Sequence, residues 1–369
     1  MKFSAPRDAL AYVVNTAAAA AERKSAVEIL KAVLLVAEPG RVTATGTDMD
    51  IEVTASIPAN VTTPGTVAVE AATLDGFLKR LTGDAEVEAE LTDALSLKAG
   101  RSRSRLAVLP AHEAPNRREV EGAPATVPGL ILSRLLSGAL PFTARENSRA
   151  VFTGVCLHAR GDELRSCATD GNRLALLREG GPDKVDNALA WPGVILPPEA
   201  AAMLSRVFGS VDLVKVYASR IMLAVEGNDV RVVTKLIEGQ FPDYDRIIPR
   251  DSAIKTTMRV DAAALAGAVD RALVVTDSVS SRVKINISPG AVTVSASAMG
   301  SETEDVIDAH AEGDAATVLF NGRFVASALK TIGGTAEARF QGARGLSVWK
   351  SPDGDEATFV IAPQAPSEA

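Results

Sequence analysis

Apolar positions along the chain follow two periods, one helical and one extended. The segments "VEAATLDGFLKRL" from Val69, "LPPEAAAMLSRVF" from Leu196 and "FNGRFVASALKTI" from Phe320 align without gaps. They place Leu74, Ala201 and Val325 in one column, Phe77, Leu204 and Ala328 in the next, and Leu81, Phe208 and Ile332 in a third. Steps of three and four residues draw an apolar stripe on one face of a helix. A short strand precedes each: "GTVAV", "GVIL" and "ATVLF". A second set, Leu10, Val14 and Ala17, then Leu132, Leu136 and Ala139, then Leu265, Val269 and Ala272, repeats the i, i+4, i+7 spacing and predicts three further helices. Between them lie β-branched or alternating runs bounded by turn residues: "RVTATGTDMDIEVTASI", "LVKVYASRIMLAVEGNDVRVVTKL" and "VKINISPGAVTVSASA". These predict antiparallel hairpins.

The pattern therefore recurs three times, about 125 residues apart. It predicts an α+β fold of three similar domains, each made of two half-repeats of a helix packed on antiparallel sheet. Pro, Gly and polar residues gather at "EGAPATVPG" and after Pro249, which places the domains at 1–122, 126–249 and 253–369. A length of 369 residues suits two or three cores. With 47% apolar but only 4% aromatic residues, those cores are built from Val, Leu, Ile and Ala.

The longest apolar runs, such as "AVLLVA" from Ala32, fall far short of the roughly 20 residues that cross a bilayer. At the start, Arg7, Asp8 and Asn15 interrupt what would be a secretory signal and leave an amphipathic first helix. Cys156 and Cys167 flank a turn at "ARGDEL"; they are expected as two reduced, half-buried thiols facing each other across a hairpin in a cytoplasmic protein. A net charge of −7 disfavours coating by nucleic acid over the whole surface, so phosphate contact requires cations gathered on one face. Lys79, Arg206 and Lys330 share a column of the repeat, and Arg134 and Arg271 lie in the other helix set. Two readings stand: cations that suit helix C-termini, or cations that line one surface for a polyanion.

Arg101, Arg103 and Arg105 in "GRSRSRLAV" alternate and would share one face of a strand, while "GSETEDVIDA" offers Glu302, Glu304 and Asp305. Charge on edge strands prevents stray pairing. It also permits a head-to-tail contact between a basic and an acidic edge on two copies. Phosphate-cradling, dinucleotide, HExxH and nucleophile-elbow motifs are missing from the sequence, and His112, His158 and His310 are scattered. Asp170 in "CATDGNRLAL" is the one candidate catalytic acid, in a stretch that first of all signals a turn.

Taken with "ATDGNRLAL" from Ala168, "KLIEGQFPDYDRIIP" from Lys235, "GTDMDIEV" from Gly46 and "AGRSRSRLAVLP" from Ala99, the chain resembles the bacterial sliding clamp family, the β subunit of DNA polymerase III. The resemblance implies a head-to-tail homodimer, a ring of six domains with helices inside and sheets outside, that encircles double-stranded DNA non-specifically as a processivity factor. It implies no catalysis, cofactor or metal. The partners are the polymerase III α subunit, an ATP-using clamp loader and other proteins with clamp-binding motifs. It also accounts for the apolar, proline-stiffened connector: a groove between the second and third domains takes linear peptides. Carried over by position, that groove comprises Arg149, Phe152, Thr169, Gly171, Arg173, Leu174, Pro242, Arg246, Ile247, Val360, Ala362 and Pro363. Ile247 and Leu174 would form an apolar floor, and Arg246 would donate hydrogen bonds. DNA-facing candidates are Arg23, Lys24, Lys79, Arg80, Arg206 and Lys330. The dimer interface would use Arg101, Arg103, Arg105, Glu302 and Glu304, with Leu106, Val274 and Val275 as its apolar part.

Three departures follow from the same resemblance. Family members commonly end Met-Pro-Met-Arg, where this chain has Ala362 and Gln364 in place of the methionines, and methionine is the adaptable residue of promiscuous grooves. Ala150 and Val151 stand where some relatives have tyrosines reaching DNA, and Ser104 stands where a Phe can occupy the ring edge. The alternatives are a specialised clamp paralogue with restricted partners, a monomeric interaction scaffold, or a hydrolase using Asp170.

Overall fold

The computed structural model describes residues 1–82, 86–146, 149–161, 163–180, 193–277 and 280–365. All six helices expected from the two apolar sets are present: α1 (Arg7–Ala18), α2 (Ala71–Arg80), α3 (Gly129–Ala139), α4 (Pro198–Phe208), α5 (Ala262–Val275) and α6 (Gly322–Ile332). The i, i+4, i+7 residues of α1, α3 and α5 are all buried. In the other set Leu74, Leu204, Ala328 and Phe208 are buried as expected, but Phe77 and Ile332 are only half-buried. In α2 the interior is taken by Leu78, one place later, because a helix turns 100° per residue and the stripe drifts.

The chain forms two compact units. The first comprises Met1–Ser133 and Met203–Leu236. It contains a five-stranded sheet in the order Asn60–Thr63, Lys2–Pro6, Glu86–Leu91, Leu95–Ala99, Ser102–Leu106. It also contains an eight-stranded sheet in the order Ala125–Val127, Val214–Ala218, Met222–Gly227, Val230–Lys235, Ile51–Pro58, Arg41–Thr47, Ala32–Glu38, Gly65–Glu70. Helix α1 packs on Arg41–Thr47 and Ile51–Pro58. A Cβ on Gly46 would lie 2.2 Å from the Ala17 carbonyl oxygen, so glycine there lets helix and strand approach this closely.

The second unit comprises Arg134–Ala202 and the chain from Ile237 onward. Its twelve strands run Val194–Leu196, Val155–Arg160, Glu163–Thr169, Arg173–Gly180, Ala357–Ile361, Ser347–Lys350, Thr335–Phe340, Thr256–Asp261, Ser301–Gly313, Ala291–Ala298, Arg282–Ser288, Ala316–Asn321. Pairing is antiparallel throughout, and the three predicted hairpin segments pair as expected. Helices α5 and α6 pack on one another, and α5 lies on Ala291–Ala298 and Ser301–Gly313. Side-chain oxygens of Asp261 and Asn321 accept from the Ala264 and Arg323 amides and cap these two helices.

Cys156 and Cys167 are cross-strand partners, as the hairpin expectation requires. They are fully rather than half-buried, because the connector after Leu236 covers that face of the sheet. Burial pushes the Cys156 thiol up to about 12 and Cys167 well above the ordinary thiol range, so both stay protonated and inert.

Although aromatics are scarce, Phe320, Phe340 and Trp349 gather in one fully buried cluster, with ring centroids 5.7–6.4 Å apart. Phe320→Ala is expected to destabilise the second unit by about 3–5 kcal/mol, read as the midpoint shift in urea unfolding followed by Trp fluorescence.

Candidate functional site

The turn after Glu163–Thr169 is built by its own side chains. Thr169 Oγ1 donates to the Arg173 carbonyl (2.7 Å) and accepts from the Gly171 amide (3.1 Å). Asp170 Oδ1 accepts from the amides of Asn172 (2.9 Å) and Arg173 (3.0 Å), and its Oδ2 from Arg173 Nε (2.8 Å). The Asp170 carboxylate is thus committed to the turn, which removes the basis for treating it as a catalytic acid. Gly171, at φ 93°, takes the left-handed position.

Beyond this turn, Arg173–Leu177 pairs with Ala357–Ile361, with Leu174 opposite Val360, and the Ala362 amide donates to the Asn172 carbonyl (2.9 Å). The end of the chain is thereby brought beside the turn. The connector lies over the same sheet, and its Tyr244 is buried with Leu174, Leu176, Val360, Ile195 and the two cysteines. Val151, Ile237, Phe241, Ile248 and Leu346 pack around this cluster.

All four segments expected to form the groove therefore meet around this cluster, the fourth through Val151. Their roles differ from expectation at several residues. Thr169, Leu174 and Val360 are buried and form the layer beneath the surface. Ile247 is 37% exposed and does not share a floor with Leu174; Ile248 packs inward instead. Pro242, Ala362 and Pro363 are half-buried, and Gly171 is exposed. Arg246 is exposed and paired with Asp243 (2.9 Å). Arg149 stacks on Phe152 at 5.6 Å, in the fourth segment. Gln364, in place of an expected methionine, is fixed: its amide donates to Leu319 O (2.7 Å) and its Nε2 to Ser280 O (2.8 Å).

The expected DNA-facing residues separate into two groups. Lys79 pairs with the buried Asp75 (2.7 Å), Arg80 donates to Gly76 O (2.8 Å) and Lys330 pairs with Asp270 (3.3 Å). The other two helix cations also have partners, Arg134 with Glu179 and Glu356, and Arg271 with Asp305. Arg23, Lys24 and Arg206 are exposed and make no ion pair among the described residues. Arg23 and Arg206 line one open cavity of 720 Å³ with Tyr12, Asn15, Thr16 and Ser210. Tyr12, 55% exposed in that cavity, lies off the apolar stripe that marks its helix in the sequence.

Arg103 and Arg105 lie on Ser102–Leu106, an edge strand, but Arg101 sits in the preceding turn rather than on the strand. Leu106 is 7% exposed and belongs to its own core, on the opposite face from Arg105. Glu302 and Glu304 are exposed on Ser301–Gly313. That strand pairs with Ala291–Ala298 through Ser301–Asp308 and with Thr256–Val260 through Ala309–Gly313, which leaves one side of its first half without a strand neighbour. Val274 is 83% exposed on α5, Val275 is half-buried, and Val306 is a further exposed apolar residue on the acidic strand.

Profiles of the DNA polymerase III beta subunit match most of the chain: its N-terminal domain at residues 1–118, its central domain at 130–243 and its C-terminal domain at 245–364. The chain belongs to this family. A beta sliding clamp of Caulobacter vibrioides is 30% identical, covering 98% of this chain and 99% of the relative; one of Pseudomonas aeruginosa is 28% identical over the same shares. Among solved structures, the beta sliding clamp of C. crescentus with polyethylene glycol superposes at a TM-score of 0.92 with 29% identity, covering 99% of this chain and 100% of that one. A P. aeruginosa sliding clamp bound to griselimycin gives 0.92 at 25% identity with the same coverage. The three-domain α+β clamp fold is thereby shown, and the chain is a sliding-clamp processivity factor. No helix among the described residues is long and apolar enough to cross a membrane.

The connector's anchor is polar as well as apolar. Arg165 Nη1 donates to the Tyr244 hydroxyl (3.4 Å), which leaves that hydroxyl to donate to His158 Nε2 (3.0 Å), with Nδ1–H facing Ala159 O (3.3 Å). His158 is therefore neutral. Burial lowers its pKa; the hydrogen bond to the Ala159 carbonyl opposes this, the Arg165 and Arg160 charges add to it, and Asp245 pulls weakly the other way. A depressed pKa favours the fold above the unfolded value of about 6.5, and this stability is lost as pH falls through the folded value. From about pH 7.5 to about 5, the melting temperature of the wild type is expected to fall more steeply than that of His158→Gln.

Proposed function

We propose that two copies of this chain join head to tail into a closed ring of six domains that encircles duplex DNA, as a non-catalytic accessory subunit of the polymerase. The observation that carries this reading is the likeness to sliding clamps over 99% of the chain. The three domains span 1–122, 126–249 and 253–369. Topology provides the hold on DNA, and weak contacts with phosphates still allow sliding. Arg23, Lys24 and Arg206 make those contacts; Lys79, Arg80 and Lys330 contribute less, because each already has an internal partner.

The ring closes where the basic edge strand carrying Arg103 and Arg105 meets the open half of the acidic strand carrying Glu302 and Glu304. Val274 and Val306 supply apolar contact there. Linear peptides of the polymerase α subunit, the clamp loader and other partners bind over Gly171, Pro242, Arg246, Ile247, Ala362 and Pro363, flanked by Arg149 and Phe152. The whole assembly works in the cytoplasm.

Three outcomes are expected. Once loaded, the protein stays on circular duplex DNA and is lost when the circle is cut, as gel filtration will show; equal loss from both forms would defeat encirclement. Arg103→Glu or Glu304→Arg alone weakens dimerisation at least about tenfold by sedimentation equilibrium, and the two single variants mixed recover it. Ile247→Asp weakens capture of the polymerase III α subunit about tenfold without moving the melting temperature.

A further inference from the structure

The molecule contains an internal control for one residue of the groove. The turn Thr47–Ile51 repeats the turn Thr169–Arg173: Thr47 Oγ1 donates to the Ile51 carbonyl (2.7 Å) and accepts from Met49 N (3.0 Å), and Asp48 Oδ1 accepts from Asp50 N (2.8 Å) and Ile51 N (2.6 Å). Even the joint is repeated, since Lys235 N donates to Asp50 O (2.9 Å) as Ala362 N does to Asn172 O (2.9 Å). Isoleucine holds the place of Arg173 in the first copy, so an arginine is not needed to build the turn.

What Arg173 adds lies outside the turn. Its Nη2 donates to the Pro141 carbonyl (2.6 Å). Its guanidinium carbon lies 4.8 Å from the Phe142 ring centroid and 4.2 Å from that of Phe324. The side chain is 12% exposed, and Asp170 takes its Nε. A planar, weakly hydrated cation between two aromatic faces suits arginine and not lysine. Phe324 belongs to the first turn of α6, which contacts the strand Ala357–Ile361.

We propose that Arg173 is a positioning residue, a latch that holds α6 to the central domain's turn and so sets the position of Ala362 and Pro363 beside that turn. Its Nε and Nη2 already donate to Asp170 and Pro141, and its plane is held between the two rings, so its role is to order the groove. Only the ligand readout below rests on the groove reading; the exchange readout does not.

The test compares Arg173→Lys, Phe324→Ala and Phe324→Tyr in the full chain by amide hydrogen exchange and by titration with griselimycin. Exchange at the Ala362 amide is expected to quicken about tenfold in Arg173→Lys and Phe324→Ala and to stay at the wild-type rate in Phe324→Tyr, which keeps the ring. The Lys235 amide of the first joint stays unchanged in all three and reports global stability. Griselimycin affinity falls in the same order as Ala362 protection. Unchanged Ala362 exchange in both Arg173→Lys and Phe324→Ala overturns the latch, as does an affinity loss confined to Arg173→Lys with protection intact, which makes Arg173 a direct ligand contact. Failure of the wild type to bind griselimycin counts against the groove reading and leaves the exchange result to decide the latch.

Discussion

Everything in this molecule depends on β-ladders that cross from one repeat to the next. Ile51–Ala55 pairs with Val230–Thr234 in the first unit, and Arg173–Leu177 pairs with Ala357–Ile361 in the second. Consecutive repeats therefore share a sheet instead of meeting through a loose interface. Each backbone hydrogen bond adds only about 1 kcal/mol net. Leaving a buried ladder edge without partners costs more, so the joints resist opening. The Thr and Asp of each turn make this possible, because they satisfy the turn's own amides and leave the following strand free to pair.

The two joints share a backbone design and differ in chemistry. Where the second has buried Leu174, the first has Glu52, 2% exposed, with its carboxylate facing the Arg118 amide and 3.9 Å from Arg231. Burial raises the Glu52 pKa, and the Arg118 amide and the Arg231, Arg118 and Arg117 charges oppose that rise. Arg231 in turn reaches Glu226 (2.8 Å), Glu119 (3.4 Å) and the Arg118 carbonyl (2.7 Å). Such a network sets geometry more than it adds stability, and removing one member leaves a buried charge without compensation. The second joint uses an apolar cluster with Tyr244 instead.

Charge is distributed on the same principle. The acidic molecule neutralises most cations of its helices internally, through Asp75, Asp270, Asp305 and Glu179. A cation already paired attracts a phosphate weakly, because the partner's field opposes it. The remaining exposed cations near Tyr12 are few, which suits a protein that must slide along a polyanion rather than grip it.

The helices and hairpins were legible because their periods of 3.6 and 2 follow from backbone geometry and were repeated three times over; Leu265, Val269 and Ala272 are buried for the reason their spacing indicates. The sequence also determined the two turns, since Thr and Asp close them through bonds to neighbours two to four residues away. It did not determine which charged side chains are available. Lys79 and Arg206 share one column of the repeat, yet only Lys79 has an aspartate four residues before it on its own helix to pair with. Nor did it reveal that Leu106 faces inward, that Ile248 rather than Ile247 packs under the connector, or that Arg173 is enclosed by Phe142 and Phe324. Those outcomes depend on contacts between residues up to 151 positions apart, as from Arg173 to Phe324, which only the folded arrangement of sheet and helix brings together.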